Sequence, residues 1–321
     1  MRIFITGVAG FIGSNLAAAL LARGGEVAGF DNLCLGSTRN LDSILRHPNF
    51  AFEVVDLADI DAYRRALRAL HSRSPITEVW HLAASSDIPA GIADPHVDLR
   101  DTFMTTFNTL LLMKELKIET IAFSSSSAVY GDLGGQNLTE ATGPLFPISN
   151  YGAMKLASEA AISAALESDL KRAFVFRFPN VIGVPATHGV ILDLIRKLKV
   201  TPGHLDVLGD GTQQKSYLHV DELVDAMLFI RKHAGDKLNY HNIGADDEGV
   251  TVRFIAEKVV ERVAPDARIT FGQGNKGWVG DVPKFRYSIA KLSKLGWRPR
   301  LGSAPAVCKA IDQVAKQESS R

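Results

Sequence analysis

Tyr151 and Lys155 lie four residues apart in the segment Tyr151-Gly-Ala-Met-Lys155. On a helix, this spacing places both side chains on one face. A free tyrosine has a pKa near ~10, too high for a base at neutral pH. A lysine cation close by, together with a positively charged nicotinamide ring, would stabilise the phenolate and lower that pKa. The pair therefore indicates removal of a hydroxyl proton during hydride transfer, with Lys155 also able to hold the nicotinamide ribose. The alternative is a pair on a helix surface.

Four consecutive hydroxyls, Ser124 to Ser127, follow a β-rich run at residues 120–124. Hydroxyls are poor core material, because each needs a hydrogen-bond partner when it is buried. One of them can bind the substrate hydroxyl and share its proton with Tyr151. For any single serine the alternative is a role in building the turn.

A glycine-rich turn follows the first predicted strand, with Gly7, Gly10 and Gly13 spaced three apart before a helix. Gly7 permits the tight turn, Gly10 lets the backbone approach a pyrophosphate, and Gly13 lets the helix pack on the strand. Asp31 ends the second strand, where a carboxylate can accept bonds from both adenosine ribose hydroxyls and repels a 2′-phosphate. These residues predict NAD rather than NADP. The alternative is a turn that serves packing alone, with a solvated Asp31.

Asp56 ends the third strand, where the adenine of a dinucleotide would lie. It could instead, or in addition, be the N-cap of the helix that begins at Ile60.

Strands and helices alternate along the first 180 residues, which predicts a Rossmann fold of the α/β class: a doubly wound parallel sheet covered on both faces. Strands are predicted at 2–6, 26–30, 51–55, 78–82, 120–124 and 173–178, and helices at 11–23, 60–71, 97–116 and 151–167. We assign residues 1–180 to an NAD-binding domain that carries the catalytic residues. Residues 181–321 are assigned mainly to a smaller C-terminal substrate-binding lobe that closes over the sheet's C-terminal edge, although the chain could cross back to the sheet. The lobe is predicted to have helices at 190–199, 221–233 and 252–263, and the polar tail after Gln313 is expected to be frayed.

The bulk composition excludes several classes of protein. The 321 residues carry a net charge of +1 and are 46% hydrophobic, so nothing points to nucleic acid or to a membrane surface. No apolar stretch reaches the ~20 residues of a membrane span. Cys34 and Cys308 lack metal-like spacing, and no metal is expected. We expect reduced thiols and a cytoplasmic location.

Together these motifs resemble the extended short-chain dehydrogenase/reductases, the NAD-dependent nucleotide-sugar epimerase/dehydratase family. The resemblance runs from about residue 1 to 312 and is nearest to the UDP-glucose 4-epimerase branch. Its further motifs are Asp31-Asn32-Leu33, Asp56-Leu57, His81-Leu82-Ala83-Ala84, Ser125 to Gly131, Arg177-Phe178-Pro179-Asn180-Val181, Gly209 to Gln213, the stretch from Gln214 to His219 that runs into Val220-Asp221, and Gly277 to Pro283.

The resemblance implies roles at matching positions. Ser126, Tyr151 and Lys155 would be catalytic, with Ser126 also touching substrate. The implied NAD contacts are Gly7, Gly10, Phe11, Ile12, Gly13, Asp31, Asn32, Asp56, Leu57, Leu82, Ala83, Ala84, Tyr151, Lys155 and Pro179. The implied substrate contacts are Ser126, Asn180, His188, Val190, Lys215, Tyr217 and Lys276, with a solvated loop histidine as the alternative for His188.

Three positions depart from the family pattern. Lys215 replaces the usual diphosphate-binding arginine and lacks its bidentate fork. Trp278 stands where a second arginine is usual, and Lys276 is the nearest cation. Thr102 takes the place of an asparagine on the cofactor side.

The residues after Ser126 separate the reactions of this family. The related 4,6-dehydratases carry an Asp-Glu pair there that serves as acid and base, whereas this chain has Ser127 and Ala128. The resemblance therefore favours a 4-epimerase of a UDP-hexose with tightly bound NAD. The alternatives are another nucleotide-sugar dehydratase or oxidoreductase, or a non-catalytic dinucleotide-binding regulator.

Two helices carry wide apolar or small faces, formed by Phe103, Phe107, Leu110 and Leu111 and by Ala157, Ala160, Ala161 and Ala164. The family pairs these helices with their mates in a four-helix interface, so the resemblance implies a homodimer. Burial against the sheet is the alternative for part of either face.

Overall fold

The computed structural model describes residues 1–275 and 286–320. The chain forms two compact units. The first comprises Met1–Gly131, Pro144–Arg177 and Met227–His241, and the second comprises Asp132–Gly143, Phe178–Ala226 and Asn242–Arg321. Each unit is thus assembled from separate stretches of the chain.

The strands and helices of the described residues are numbered here in chain order. The strands are β1 (Arg2–Thr6), β2 (Glu26–Asp31), β3 (Phe50–Val54), β4 (Glu78–His81), β5 (Thr120–Ser124), β6 (Asn137–Leu138), β7 (Arg172–Arg177), β8 (Asn180–Ile182), β9 (His204–Val207), β10 (Gln214–Lys215), β11 (Tyr217–His219), β12 (Leu238–Asn242), β13 (Val250–Thr251), β14 (Arg268–Phe271) and β15 (Arg286–Tyr287). The α-helices are α1 (Phe11–Leu21), α2 (Ile60–Arg73), α3 (Ile88–Ala93), α4 (Pro95–Asp98), α5 (Thr105–Leu116), α6 (Asn150–Ala165), α7 (Val190–Val200), α8 (Val220–His233), α9 (Val252–Val263), α10 (Ala290–Leu295) and α11 (Ser303–Ser319). Short 3₁₀ turns span Thr38–Leu41 and Ser127–Tyr130, and a π-helical stretch spans Leu99–Met104.

A seven-stranded sheet forms the centre of the first unit, in the order β12-β7-β5-β4-β1-β2-β3. The six strands from β7 to β3 pair in parallel. Every residue of β1 is buried, as expected for a central parallel strand that is covered on both faces. The Rossmann-type α/β fold predicted from the strand–helix alternation is therefore confirmed.

Large apolar side chains fill the space between this sheet and its helices. Phe4 of β1 meets Phe30 of β2 edge-on, with ring centroids 4.9 Å apart, and Tyr63 of α2 is fully buried beside them. This core fixes the carboxyl ends of the strands, where parallel α/β sheets present their ligand sites.

The helix predicted over residues 97–116 is divided in the structure. Asp94 caps α4 by accepting a bond from the His96 N–H, and Pro95 occupies the first turn, so the helix starts earlier than its apolar periodicity indicated. The π-helical stretch then joins α4 to α5. The predicted helical segment is therefore present and ends at Leu116 as predicted, but it begins at Pro95 and is not α-helical throughout.

The second unit has its own apolar core, built by α7, α9 and α11 around side chains such as Leu194, Ile255 and Ile311. Short strand pairs accompany it: β8 with β11, β9 with β14 and β6 with β15 in parallel, and β10 with β13 antiparallel.

The C-terminal segment does not fray as predicted. Helix α11 continues to Ser319, Val314 is buried, and Glu318 forms ion pairs with Arg196 and Lys199. The polar composition misled the prediction, because the buried face of an amphipathic helix needs an apolar residue only every third or fourth position. None of the helices in the described residues is long and apolar enough to cross a bilayer.

Candidate active site

Helix α6 brings Tyr151 and Lys155 together. Ser149 caps its N-terminus by accepting a 3.1 Å bond from the Gly152 N–H, so Tyr151 falls in the first turn. The Lys155 side chain is only 2% exposed, and its Nζ donates to the carbonyl oxygen of Ser124 at 2.6 Å. The same Nζ lies 5.8 Å from the centroid of the Tyr151 ring. Both side chains therefore lie at the carboxyl end of β5.

Ser126 occupies the turn that faces Tyr151. Its hydroxyl oxygen accepts a 3.2 Å bond from the Ala128 N–H, and its side chain is hydrogen-bonded to Tyr151. A Cβ at Gly152 would lie 2.6 Å from the Ala128 carbonyl oxygen, so the glycine after Tyr151 lets α6 approach the serine turn. Ser126, Tyr151 and Lys155 thus form one cluster.

Burial dominates the protonation of this cluster. It raises the pKa of Tyr151 to about 12, against a lowering by the Ser126 hydrogen bond, while the charge of Asp98 raises it further. Burial also lowers the pKa of Lys155 to about 7, against raising contributions from Glu159 and Asp98. The protein groups alone therefore do not give Tyr151 the lowered pKa that a base needs. A positive charge beside the ring would lower that pKa.

A buried ion pair supports the back of the serine turn. Arg177 at the end of β7 pairs with Glu159 of α6 at 2.6 Å and donates to the Tyr130 hydroxyl at 3.0 Å. Glu159 also accepts a bond from the Ser125 hydroxyl. These bonds tie β7, α6 and the turn beside Ser126 to one another. The sequence placed Arg177 in a family motif without indicating its partner.

The glycine-rich turn joins β1 to α1. Gly7 has φ +69°, and a Cβ there would lie 2.9 Å from the Cα and N atoms of Ala83. A Cβ at Gly13 would come within 2.1 Å of the Gly7 carbonyl oxygen. Both residues are therefore required by packing.

Gly10 differs from its neighbours in this turn. A Cβ there would meet only the Gly7 carbonyl oxygen, at 3.2 Å. Gly10 is also the N-cap of α1 and offers no side-chain bond to the first-turn amides, which include those of Phe11 and Ile12. A helix N-terminus with this open approach fits the pyrophosphate of a dinucleotide.

Asp31 is buried at the end of β2. Its carboxylate accepts bonds from the N–H groups of Ala9 at 3.0 Å and Leu33 at 2.8 Å. Burial raises its pKa, and the backbone bonds oppose that change. Because a carboxylate has about four acceptor positions, Asp31 keeps acceptor capacity for a ribose hydroxyl. Asn32 turns its side chain back to accept from the Cys34 N–H at 3.0 Å.

Asp56 does not cap the helix that follows it. Asp59 is the N-cap of α2, accepting from the N–H groups of Asp61 and Ala62, so the capping interpretation of Asp56 was wrong. Asp56 instead accepts from the Ala58 N–H at 3.0 Å and pairs with Arg100.

Thr6 and His81 hold the segment that follows β4. The Thr6 hydroxyl contacts His81 Nδ1 at 2.7 Å and accepts from the N–H groups of Leu82 at 3.1 Å and Ala83 at 3.2 Å. Thr102 is fully buried, and its hydroxyl accepts a 3.2 Å bond from the Ser85 N–H. In this structure it stabilises the loop after Ala84.

The proposed substrate residues that the structure describes, apart from Ser126, belong to the second unit. Asn180 of β8 is the register partner of Tyr217 in β11, and Lys215 of β10 is the partner of Val250. Val190 begins α7, two residues after His188. Pro179 lies close to Gly244. Lys276 and Trp278 lie outside the described residues.

Sequence reasoning missed Asp98. Its carboxyl is 1% exposed, and its charge acts on both Tyr151 and Lys155. The Asp94-Pro95 pair is a helix-start signal that could have placed Asp98 one turn into a helix, but nothing in the sequence indicates that this turn packs against α6.

Comparison with known proteins identifies the family of the chain. The model of the NAD dependent epimerase/dehydratase family matches residues 3–244. A UDP-glucose 4-epimerase of Lacticaseibacillus casei is 30% identical over 321 residues, which cover 93% of this chain and 92% of that protein. The chain belongs to the NAD-dependent epimerase/dehydratase family.

Solved structures extend the similarity over almost the whole chain. A UDP-galactose 4-epimerase structure is 34% identical, with a TM-score of 0.86 and coverage of 99% of both chains. The UDP-glucose 4-epimerase of Thermus thermophilus, solved in complex with NAD, is 30% identical, with a TM-score of 0.84 and coverage of 98% of this chain and 99% of that one.

Proposed function

We propose that this protein is an NAD-dependent 4-epimerase of a nucleotide-sugar, a UDP-hexose in particular, that works through a 4-keto intermediate. The observation that carries the proposal is the Ser126, Tyr151 and Lys155 cluster with no carboxylate at positions 127 and 128. Similarity to UDP-glucose and UDP-galactose 4-epimerases supports the same reaction and a UDP-sugar substrate.

The cluster suits the removal and return of one proton. Tyr151 takes the proton of the sugar 4-hydroxyl as the carbon–hydrogen bond breaks, and gives it back to the oxygen in the second half-reaction. Ser126, already bonded to Tyr151, holds the same oxygen. The buried Lys155 supplies a nearby positive charge that stabilises the phenolate and can bind the nicotinamide ribose. The glycine-rich turn and Asp31 would hold NAD, which would supply the acceptor for the hydride of carbon 4 and the donor for its return to the opposite face of the sugar.

The same cluster lacks what a 4,6-dehydratase needs. Elimination of water requires an acid for the 6-hydroxyl and a base for the hydrogen on carbon 5, whereas Ser127 and Ala128 occupy the positions of the dehydratase pair. In the structure the Ala128 N–H instead bonds to the Ser126 hydroxyl oxygen at 3.2 Å. A dehydratase or oxidoreductase of the same family is the second candidate, and a non-catalytic regulator is disfavoured by the intact cluster.

We assign NAD binding and catalysis to residues 1–180 and substrate binding mainly to residues 181–321. The cofactor contacts are those predicted above, centred on the glycine-rich turn and Asp31. Asn180 and Tyr217, which pair between β8 and β11, are assigned to the nucleotide, together with Lys215 of the separate β10–β13 pair. His188 and Val190 at the start of α7, and Lys276, complete the proposed substrate set.

A panel of nucleotide-sugars tests the proposal. The protein is incubated with UDP-, dTDP-, GDP- and CDP-hexoses, and the products are identified by NMR. We expect inversion at carbon 4 of a UDP-hexose without loss of any hydroxyl. Turnover to a 4-keto-6-deoxy sugar would overturn the epimerase assignment, and the absence of turnover with every sugar would favour the regulator.

We further propose a cytoplasmic homodimer. The two cysteines are unpaired, as in a reducing compartment. Phe107 and Leu111 on α5 are 42% and 38% exposed, and Ala160 and Ala164 of α6 are also exposed. Pairing of these faces with a second copy would cover them. Light scattering should show that the wild type is a dimer and that Phe107→Glu is a monomer. The control Phe146→Glu, which changes another exposed phenylalanine, should remain a dimer. A monomeric wild type would refute the interface.

A further inference from the structure

Asp98 carries a buried carboxyl for which the described structure holds no hydrogen-bond partner on either oxygen. The residue is 1% exposed and is the last residue of α4, where the helix widens into the π-helical stretch. A buried carboxyl without partners is costly to the folded state, and π-helical insertions are frequent at functional sites. The position therefore demands an explanation other than stability.

The surrounding helices make room for this carboxyl. A Cβ at Gly91 of α3 would lie 1.8 Å from Asp98 Oδ2, so the absence of a side chain at 91 creates the space. The Gly91 carbonyl oxygen accepts a 2.8 Å bond from the Asn150 side chain, which precedes Tyr151 on α6. The pocket around Asp98 is thus tied to the first turn of the helix that bears Tyr151 and Lys155.

Charge connects Asp98 with the catalytic pair. Burial, Asp101 and Asp87 raise the pKa of Asp98 to about 6, and the Lys155 charge opposes them. Asp98 in turn favours the charged form of Lys155 and disfavours the phenolate of Tyr151. The other titratable groups on the elements around Asp98 are Asp94, His96, Arg100 and Glu159.

We propose that Asp98 is a positioning residue whose buried carboxylate holds Lys155 in its ammonium form for the hydride-transfer reaction. The inference rests on the proposed function only in assigning a use to that ammonium. Lys155 is almost completely buried, and the bond to the Ser124 carbonyl oxygen serves neutral and charged lysine alike. Burial removes the water that would stabilise the Lys155 ammonium. The buried carboxylate of Asp98, which has no hydrogen bond in the described structure, supplies an opposite charge that offsets this loss.

The first test reads Lys155 directly. Lysine side chains are isotope-labelled in the NAD-loaded protein and titrated by NMR, with the Lys155 signal assigned by its loss in Lys155→Arg. In Asp98→Asn the pKa of Lys155 should fall by about one pH unit, as expected when an opposite charge nearby is removed. Asp87→Asn is the matched control, because it removes a carboxylate that acts on Asp98 while keeping an N-cap residue on α3. In this control the pKa of Lys155 should stay within a few tenths of a pH unit of the wild-type value. An unchanged Lys155 in folded Asp98→Asn would overturn the proposal.

The second test needs no variant and covers the case in which Asp98→Asn does not fold. In wild type the Lys155 signal should show a second inflection at the pH where the Asp98 carboxyl carbon titrates, near pH 6. A Lys155 signal that is insensitive to that titration contradicts the proposal. Both tests are independent of any sugar, so a failed nucleotide-sugar panel would not affect them.

The pH profile of turnover then separates positioning from simple support of the fold. In Asp98→Asn both limbs of kcat/KM should move to lower pH, because the pKa of Tyr151 and that of Lys155 both fall. At pH 8 the rate should drop by about tenfold, which corresponds to a one-unit change in the pKa of Lys155. A lower rate with no change in the pH at which either limb of the kcat/KM profile falls would show that Asp98 has a structural role only, and it would overturn the proposal.

Discussion

The variants Gly13→Ala and Gly10→Ala should distinguish the two roles of the glycine-rich turn. Gly13→Ala should lower the stability of the protein, and Gly10→Ala should lower its affinity for NAD. A Cβ at position 13 would lie 2.1 Å from the Gly7 carbonyl oxygen and 2.9 Å from the Val8 Cα, both of which are backbone atoms. Overpacking of this kind costs about 1–3 kcal/mol or more. Gly13→Ala should therefore unfold at lower denaturant concentration even when NAD is absent.

The smaller steric conflict at Gly10 predicts a different result. A Cβ there meets one oxygen at 3.2 Å, and the backbone φ of −76° suits alanine. The cost to the apoprotein should be about 1 kcal/mol or less, mainly from the poorer N-cap. If the pyrophosphate approaches Gly10, however, the methyl group occupies its path, and NAD affinity should fall at least about tenfold, or 1.4 kcal/mol.

Two assays on protein from which bound NAD has been removed distinguish these outcomes. One is urea unfolding without ligand, and the other is calorimetric titration with NAD. Gly235→Ala is the control, since a Cβ at position 235 has no neighbour within 4 Å in the described structure. Wild-type NAD affinity in Gly10→Ala would refute the assignment of this turn to the pyrophosphate and would favour a turn that serves packing alone.

Three further predictions concern the site. Tyr151→Phe should lose about 10²–10⁴ of the rate while NAD binding, measured by calorimetry, stays nearly intact, and a variant with more than about a hundredth of the activity would show that Tyr151 is not the base. Purified protein should release NAD rather than NADP on acid extraction. In titrations with both cofactors, Asp31→Asn should bind NAD and NADP with more similar affinities than wild type does, because the carboxylate no longer repels a 2′-phosphate. Burial lowers the pKa of His81 to about 3, so between pH 6.5 and 3 the unfolded chain binds a proton that the folded chain does not. The free energy of unfolding should then fall with decreasing pH, by roughly 5 kcal/mol at most for this group, and His81→Gln should flatten that dependence in urea titrations.

Much of the first unit could be predicted because its sequence signals are local. Buried parallel strands are continuous apolar runs, and β5 was predicted with its observed limits. The glycine spacing and the Tyr151–Lys155 spacing likewise state which groups share a turn or a helix face. Such signals depend on residues that are close in the chain.

What could not be predicted depends on contacts between distant segments. The pairing of Arg177 with Glu159 and the pocket that Gly91 leaves for Asp98 require the packed positions of separate elements. The two-residue strands of the second unit are too short for a periodic pattern. The C-terminal helix was missed because its stabilising partners, such as Arg196 for Glu318, lie more than a hundred residues away.

The fate of a hydrogen isotope at carbon 4 of the sugar tests the central claim most directly. A UDP-hexose deuterated at carbon 4 is incubated with the NAD-loaded protein, and the product is analysed by NMR and mass spectrometry. A 4-epimerase returns the deuterium to carbon 4 of the inverted sugar and keeps the 6-hydroxyl, as expected of a site with Ser127 and Ala128 beside Ser126. Deuterium at carbon 6 of a 4-keto-6-deoxy product would show that another residue supplies the acid and would contradict the account.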